Sequence, residues 1–474
     1  MPHTNRNHNR NNRKKKTALI IGAVFSLFVI IGGAVFFYSR STLPEAYPVG
    51  SDDGTETEGE GENEPGRVEN SPESVDAGAG DTAADETGSS EAGTTDVSDQ
   101  NDTAGSNSAE GITDVEYSPE YLAAVEQASE HIAGMTREEK VAQLFFVGID
   151  ALTEVGSTTI AGDVTKERLR QYPVGGVILF GKNITDPVQI TEMTKGLKRF
   201  STENGLPLMI GVDEEGGLVA RIAAKDTFPE NNVGAMMEIG NTGDTNKASE
   251  AGKYIGSYLK KYGFDIDFAP VADVYTNPEN TVIGTRAFGT TPEQVSLMSE
   301  AFRKGLESQG VQSCIKHFPG HGDTQADSHF GIALTNKTLE ELKNCELIPF
   351  QTAIDAGAEL VMVSHISAPN VTGDMVPASL SKQMVTDVLR EEMKYDGAVI
   401  TDDLSMKAIT DQYSPAEACV LSIQAGVDWV MVTNRFAEAY NGVLEAVKDG
   451  RISEERLNES VMRILTLKYL NGMQ

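Results

Sequence analysis

At 474 residues and a formal charge of −32, the chain is long enough for one large domain or two ordinary ones, and its acidity argues against a nucleic-acid partner. The charge is unevenly placed, +7 over residues 1–40, −20 over 41–116 and −19 over 117–474, so the body itself would repel a phosphate backbone. The three cysteines, Cys314, Cys345 and Cys419, sit in apolar surroundings and are expected as buried free thiols, not as a disulfide framework.

Residues 1–16 form a basic N-terminus. Residues 17–38, TALIIGAVFSLFVIIGGAVFFY, are 22 uncharged positions, enough at about 1.5 Å per residue to cross a hydrocarbon core of roughly 30 Å. Basic residues before the run and acidic ones after it predict a single-pass transmembrane anchor with the N-terminus cytoplasmic and the remainder outside the cell. A cleaved signal peptide is the competing reading; the run exceeds the apolar stretch of about 7 to 15 residues that such signals carry, and no A-x-A site follows. No cysteine lies near it to take a lipid.

Residues 39–117 are rich in Gly, Ser, Thr, Asn and Ala, and between 41 and 116 hold 21 acids against the single Arg67. Such a segment cannot bury enough apolar surface to offset its chain entropy, so it is expected to be a disordered acidic linker that serves as a tether.

From residue 118 to 474 short apolar runs alternate with amphipathic stretches. Eight runs stand out, beginning at Val141, Gly175, Leu208, Phe264, Val311, Glu359, Gly397 and Trp429, with helical patterns over 186–204, 291–309, 381–393, 417–425 and 453–470 between or after them. Eight βα units predict an α/β fold, a (β/α)8 TIM-type barrel. A doubly wound open sheet is the competitor, disfavoured because polar residues cluster at the ends of many strands and not at one crevice.

Those polar strand ends carry the chemistry. GVDEEGG places Asp213 at the end of the third run, and VIGTRAFG after the fourth puts Arg286 among small residues that leave it in want of a partner. AVITDDLSM sets Asp402 and Asp403 at the end of the seventh run, where alternation sends one toward the barrel mouth and the other toward the scaffold. After the fifth run, KHFPGHGDTQADSH gathers Lys316, His317, His321, Asp323, Asp327 and His329.

Two readings of that segment are open: a metal site, or an acid-base dyad in which Asp327 orients His329 and raises its pKa. The H-E-x-x-H and paired Cys/His spacings of zinc sites are missing, and Pro and Gly preclude a helical ligand pair, so no metal and no cofactor is expected. His365, ending the sixth run, is expected as a satisfied polar core residue near the site.

Taken in order, GVDEEGG, GTRAFG, KHFPGHGDTQADSH and ITDDLSM resemble the β-N-acetylhexosaminidases of glycoside hydrolase family 3, over residues 120–470. The resemblance implies Asp402 as the nucleophile, His329 as general acid and base oriented by Asp327, and Asp213, Arg286, Lys316 and His317 as groups binding the hydroxyls of a terminal N-acetylglucosamine. It departs from the two-carboxylate glycosidase scheme, since a histidine stands for the second carboxyl. Leu218, where many relatives have Arg, leaves fine specificity open.

The expected activity is therefore retaining hydrolysis of terminal β-linked N-acetylglucosamine from cell-wall fragments, by a membrane-tethered catalytic domain that is monomeric. Phosphorolysis or a broader β-glycosidase activity at the same site, or an inactive glycan-binding wall protein, are the alternatives.

Overall fold

The computed structural model describes residues 117–324, 331 and 333–473. The basic N-terminus, the apolar run 17–38, the acidic linker, Asp327 and His329 lie outside the described residues. Among the described residues no helix is long and apolar enough to cross a membrane.

The predicted strands form one parallel sheet: β1 (Phe145–Gly148), β2 (Gly176–Ile178), β3 (Met209–Val212), β4 (Ile266–Asp267), β5 (Gln312–Ser313), β6 (Ile315–Phe318), β7 (Leu360–Val363), β8 (Ala398–Asp403) and β9 (Trp429–Val432). Their order is β5-β4-β3-β2-β1-β9-β8-β7-β6. The two ends of that order, β5 and β6, are halves of the single fifth run, interrupted at Cys314. β5 pairs with β4 through Ile266 and Gln312, while β6 pairs with β7 through Val361 and Ile315. The Cys314 N–H donates to the Ala269 carbonyl at 2.9 Å across the break. The sheet is thus a nearly closed barrel, consistent with the (β/α)8 expectation, with nine strand segments in place of eight because one strand is broken.

Eight of the nine strands are buried from end to end, as parallel strands covered on both faces must be. The barrel interior is filled by Phe146, whose ring meets those of Phe268 and Trp429 edge to face, both at 5.4 Å between centroids. Gly176 makes room for it: a Cβ there would lie 2.1 Å from the Phe146 ring.

Several helices start at side-chain caps. Asp186 accepts from the N–H groups of Val188 and Gln189 at the start of Pro187–Glu203, Thr291 caps Pro292–Glu307, and Ser414 forms a capping box with Glu417 on Pro415–Ala425. The stretch predicted over 381–393 is wound as a π-helix, Gln383–Glu392, instead of an α-helix; nothing in its contacts explains the wider turn. Cys314 and Cys419 are buried free thiols as expected, whereas Cys345 is only partly buried, on the turn between two short helices.

The last helix, Glu454–Leu470, locks the N-terminal end of the barrel. Its Lys468 is fully buried, donating to Gln143 Oε1 and the Pro207 carbonyl, both at 2.6 Å, and burial pulls its ammonium pKa well below the ordinary value. Catalytic barrels keep their chemistry at the opposite end.

Replacing Gly176 with Ala should force the Phe146 ring out of place and cost about 1–3 kcal/mol by overpacking. Denaturant unfolding of Gly176→Ala against wild type measures it, and an unchanged midpoint would refute this account of the core.

Candidate active site

At the end of β3 three consecutive acids take alternate directions. Glu214 turns into the scaffold: its carboxylate accepts the N–H groups of Arg221, Ile222 and Ala223 and the Tyr258 hydroxyl, pinning the hairpin formed by Glu214–Gly216 and Val219–Ala220. Asp213 and Glu215 turn the other way and meet Lys316.

Lys316, near the end of β6, is 2% exposed. Its ammonium lies 2.8 Å from Asp213 Oδ1 and 2.6 Å from Glu215 Oε1. Arg286 completes the cluster from the single turn Gly284–Arg286, gripping Glu215 with Nε to Oε2 at 2.8 Å and Nη2 to Oε1 at 2.7 Å. Two cations thus face two carboxylates inside the protein. Burial alone would raise the Glu215 pKa, but Arg286 and Lys316 outweigh it and hold the carboxyl far below the usual carboxylate range. For Lys316 and Arg286 burial pulls down, and the carboxylates beside them win, so both are held above their ordinary values.

His317 extends this cluster. Its Nε2 is 3.3 Å from Arg286 Nη2, and its Nδ1 is 2.7 Å from Asp273 Oδ2. The loop beyond turns back over residues 273–275: His321 N–H donates to Asp273, and Gly322 fits only because it lacks a side chain, a Cβ there falling 1.9 Å from the Val274 carbonyl oxygen.

The Asp402 and Asp403 pair divides as strand alternation requires. Asp403 is taken up by the scaffold, accepting from the Thr433 hydroxyl and from the N–H groups of Ser405 at 2.9 Å and Thr433 at 3.2 Å. Asp402 accepts the Asp403 N–H at 2.8 Å and otherwise shares the field of His365, His317 and Lys316. Burial would raise both carboxyls. For Asp402 these neighbours prevail and hold it below the ordinary value, whereas Asp403 is raised by burial. Asp402 is therefore an ionised carboxylate near neutral pH. His365 is buried, with Nδ1 2.8 Å from the Ser379 hydroxyl and Nε2 donating to the Asp403 carbonyl at 2.9 Å, as a polar core residue beside the site would be.

Of the residues singled out from sequence, Asp213, Arg286, Lys316, His317 and Asp402 converge on one end of the barrel; Asp327 and His329 are outside the described residues. Glu215 and Asp273 were not anticipated. Glu215 could have been found by alternation, since it shares a side with Asp213; Asp273 lies in an unpatterned stretch, FAPVADV, and only the fold brings it to His317. Among the described residues no group of three or more His, Cys, Asp or Glu side chains is placed to hold a metal ion. Chemically, the cluster offers charged donors and acceptors suited to the hydroxyls of a sugar ring, with an ionised carboxylate on the same rim.

The family model described as the glycosyl hydrolase family 3 N terminal domain matches residues 136–467. The chain belongs to glycosyl hydrolase family 3. Among its relatives it is 34% identical over 339 residues to the protein named beta-hexosaminidase A of Pseudoalteromonas piscicida, covering 66% of this chain and 56% of that protein. It is also 34% identical to beta-hexosaminidase LpqI of Mycobacterium tuberculosis over 349 residues, 71% of this chain and 84% of the relative. Among solved structures it resembles a family 3 beta-N-acetylglucosaminidase from Paenibacillus sp. with TM-score 0.67 and 37% identity, over 72% of this chain and 63% of that one. The chain therefore spans little more than half the length of the Pseudoalteromonas relative.

Removing one charge from the buried cluster should be costly. Glu215→Gln leaves Lys316 and Arg286 short of a counter-charge and is expected to cost about 3–5 kcal/mol. Because the folded-state pKa of Glu215 is depressed, its contribution is present above its ordinary value of 4.5 and lost as pH falls below it. The stability gap between wild type and Glu215→Gln, followed by denaturant unfolding, should stay open near neutral pH and narrow only below that value. A gap that widens on acidification would contradict the assignment.

Proposed function

We propose that the protein is a retaining β-N-acetylhexosaminidase that removes terminal non-reducing β-linked N-acetylglucosamine. The observation that carries this is the ionised Asp402 carboxylate on the same barrel rim as the Lys316, Asp213, Glu215, Arg286 and His317 cluster, in a family 3 chain whose relatives are named beta-hexosaminidases. In this mechanism Asp213, Arg286, Lys316 and His317 hold the ring hydroxyls. The Asp402 carboxylate attacks the anomeric carbon while His329, protonated and oriented by Asp327, donates its proton to the leaving oxygen. His329 then takes a proton from water, which attacks the glycosyl-aspartate, frees the sugar with its configuration retained and restores the carboxylate.

The substrate class is cell-wall glycan and its muropeptide fragments. Residues 17–38 anchor the chain in the membrane, with the N-terminus inside and the catalytic domain outside. The acidic, Gly- and Ser-rich composition of residues 39–117 is that of a tether, which suits an enzyme working on a wall polymer.

With 4-nitrophenyl N-acetyl-β-D-glucosaminide, wild type should release nitrophenol and Asp402→Ala should fall to background; full activity in Asp402→Ala would end the nucleophile assignment. His329→Ala should lose about 10²- to 10⁴-fold on substrates with poor leaving groups, and far less on the nitrophenyl compound, whose departure needs little protonation. Product analysis with added phosphate separates hydrolysis from phosphorolysis, and glycan binding without turnover would support a wall-binding protein instead. After cell fractionation the full chain is expected in the membrane pellet and a chain lacking residues 1–38 in the soluble fraction; equal distribution would remove the anchor.

A further inference from the structure

We infer that Asp273 is a positioning residue that fixes His317 as its neutral Nδ1–H tautomer and so presents Nε2 to the sugar-binding cluster as a hydrogen-bond acceptor. The inference deepens the proposed function, because it rests on His317 being one of the groups that hold the substrate.

The argument is one of donors and acceptors. The Asp273 side chain is fully buried, and both of its oxygens are occupied: Oδ1 accepts the N–H groups of His317 at 3.2 Å and His321 at 2.7 Å, and Oδ2 lies 2.7 Å from His317 Nδ1. The two backbone N–H groups on Oδ1 need an acceptor there and favour the ionised carboxyl. An ionised carboxylate only accepts, so the proton must sit on Nδ1. At the opposite edge of the ring, Nε2 is 3.3 Å from Arg286 Nη2, which is held in place by its grip on Glu215. A guanidinium only donates, so Nε2 must carry no proton. The two neighbours impose the same state from opposite sides, and an imidazolium would set N–H against N–H.

The consequence reaches the substrate. Nε2 has one lone pair, and by spending it on Arg286 Nη2 it holds the guanidinium from one side while Glu215 holds it from the other, adding no further charge to the cluster that meets the sugar. The carboxylate that orients the ring also takes the His321 N–H, so the strand end and the start of the following loop are registered against one group. This is the logic by which a buried partner on one imidazole nitrogen determines what the other can do.

Asn at position 273 preserves shape and one acceptor but turns a donor toward Nδ1, which drives the proton to Nε2 and against Arg286. The test combines magic-angle-spinning NMR of the full-length protein labelled with 15N-histidine, His317 being identified by the signal lost in His317→Gln, with a double-mutant cycle on 4-nitrophenyl N-acetyl-β-D-glucosaminide. Wild type should show His317 protonated at Nδ1 alone, and Asp273→Asn should show it protonated at Nε2. In Asp273→Asn kcat/KM should fall about 100-fold through misplacement of a binding group, with little further loss when the same change is made in His317→Ala.

An Nε2–H or doubly protonated His317 in wild type overturns the inference without recourse to any variant. So does an unchanged tautomer in Asp273→Asn, or an equal fold-loss in the His317→Ala background, which would mark Asp273 as structural only. If wild type fails to cleave the aminosugar, the proposed activity falls, and the tautomer measurement still decides the role of Asp273.

Discussion

The Glu215 carboxylate, buried and gripped by Arg286 and Lys316, is the interaction on which the site depends. No charge of this kind survives burial alone, since the desolvation cost of even one ion is several kcal/mol. The three residues come from positions 30 to 101 apart in the chain, just after β3, on the turn Gly284–Arg286 and on β6, so the charge is tolerated only when the barrel has brought all three together. The fold and the binding cluster are therefore one requirement: a chain that misplaces any of these loops is left with an unpaired ion in its interior. The geometry that results is held by ion pairs of 2.6–2.8 Å and is in place before any sugar arrives.

Strand alternation then separates functions between adjacent acids. Glu214 and Asp403 serve the scaffold, each taken up by backbone N–H groups and a hydroxyl, while their neighbours Asp213, Glu215 and Asp402 face the cations and histidines. The electrostatic outcome follows the direction of the side chain, not its identity: Asp402 is held below and Asp403 above the ordinary carboxyl value one residue apart. A site built on strand ends can in this way place an ionised carboxylate at the rim beside one taken up by the scaffold, with no change of residue type.

Much of this was legible in the sequence because it depends on period and on local chemistry. All eight apolar runs contain sheet strands, and the helices begin at Asp186, Thr291, Ser414 and Ser453, whose side chains cap them. What escaped was what depends on closure. The break of the fifth strand at Cys314 cannot be inferred from VQSCIKH, which carries no charge until Lys316; it arises because the two halves pair with different neighbours, β4 and β7. Asp273 escaped for a related reason. Nothing in FAPVADV distinguishes it from a loop acid, and its significance comes entirely from His317, 44 residues away in the chain.

The opposite end of the barrel shows what an ion cluster looks like when it has no other task. There Asp428, just before β9, is fully buried and surrounded by Arg390, Arg456 and Arg463, with Ser460 donating to it at 2.7 Å. Those guanidinium groups also cap the carbonyls of Gly426, Val427 and Gly397, so their donors are spent on the scaffold. The same chemistry at the mouth is arranged differently: Asp213 has one carboxylate oxygen on Lys316 and remains partly exposed, and the ring of His317 reaches the Arg286 side chain. Two clusters of similar composition thus separate by what their donors are left to do. One spends its donors on backbone carbonyls and a fully buried carboxylate, and the other leaves Asp213 and Arg286 partly exposed at the rim.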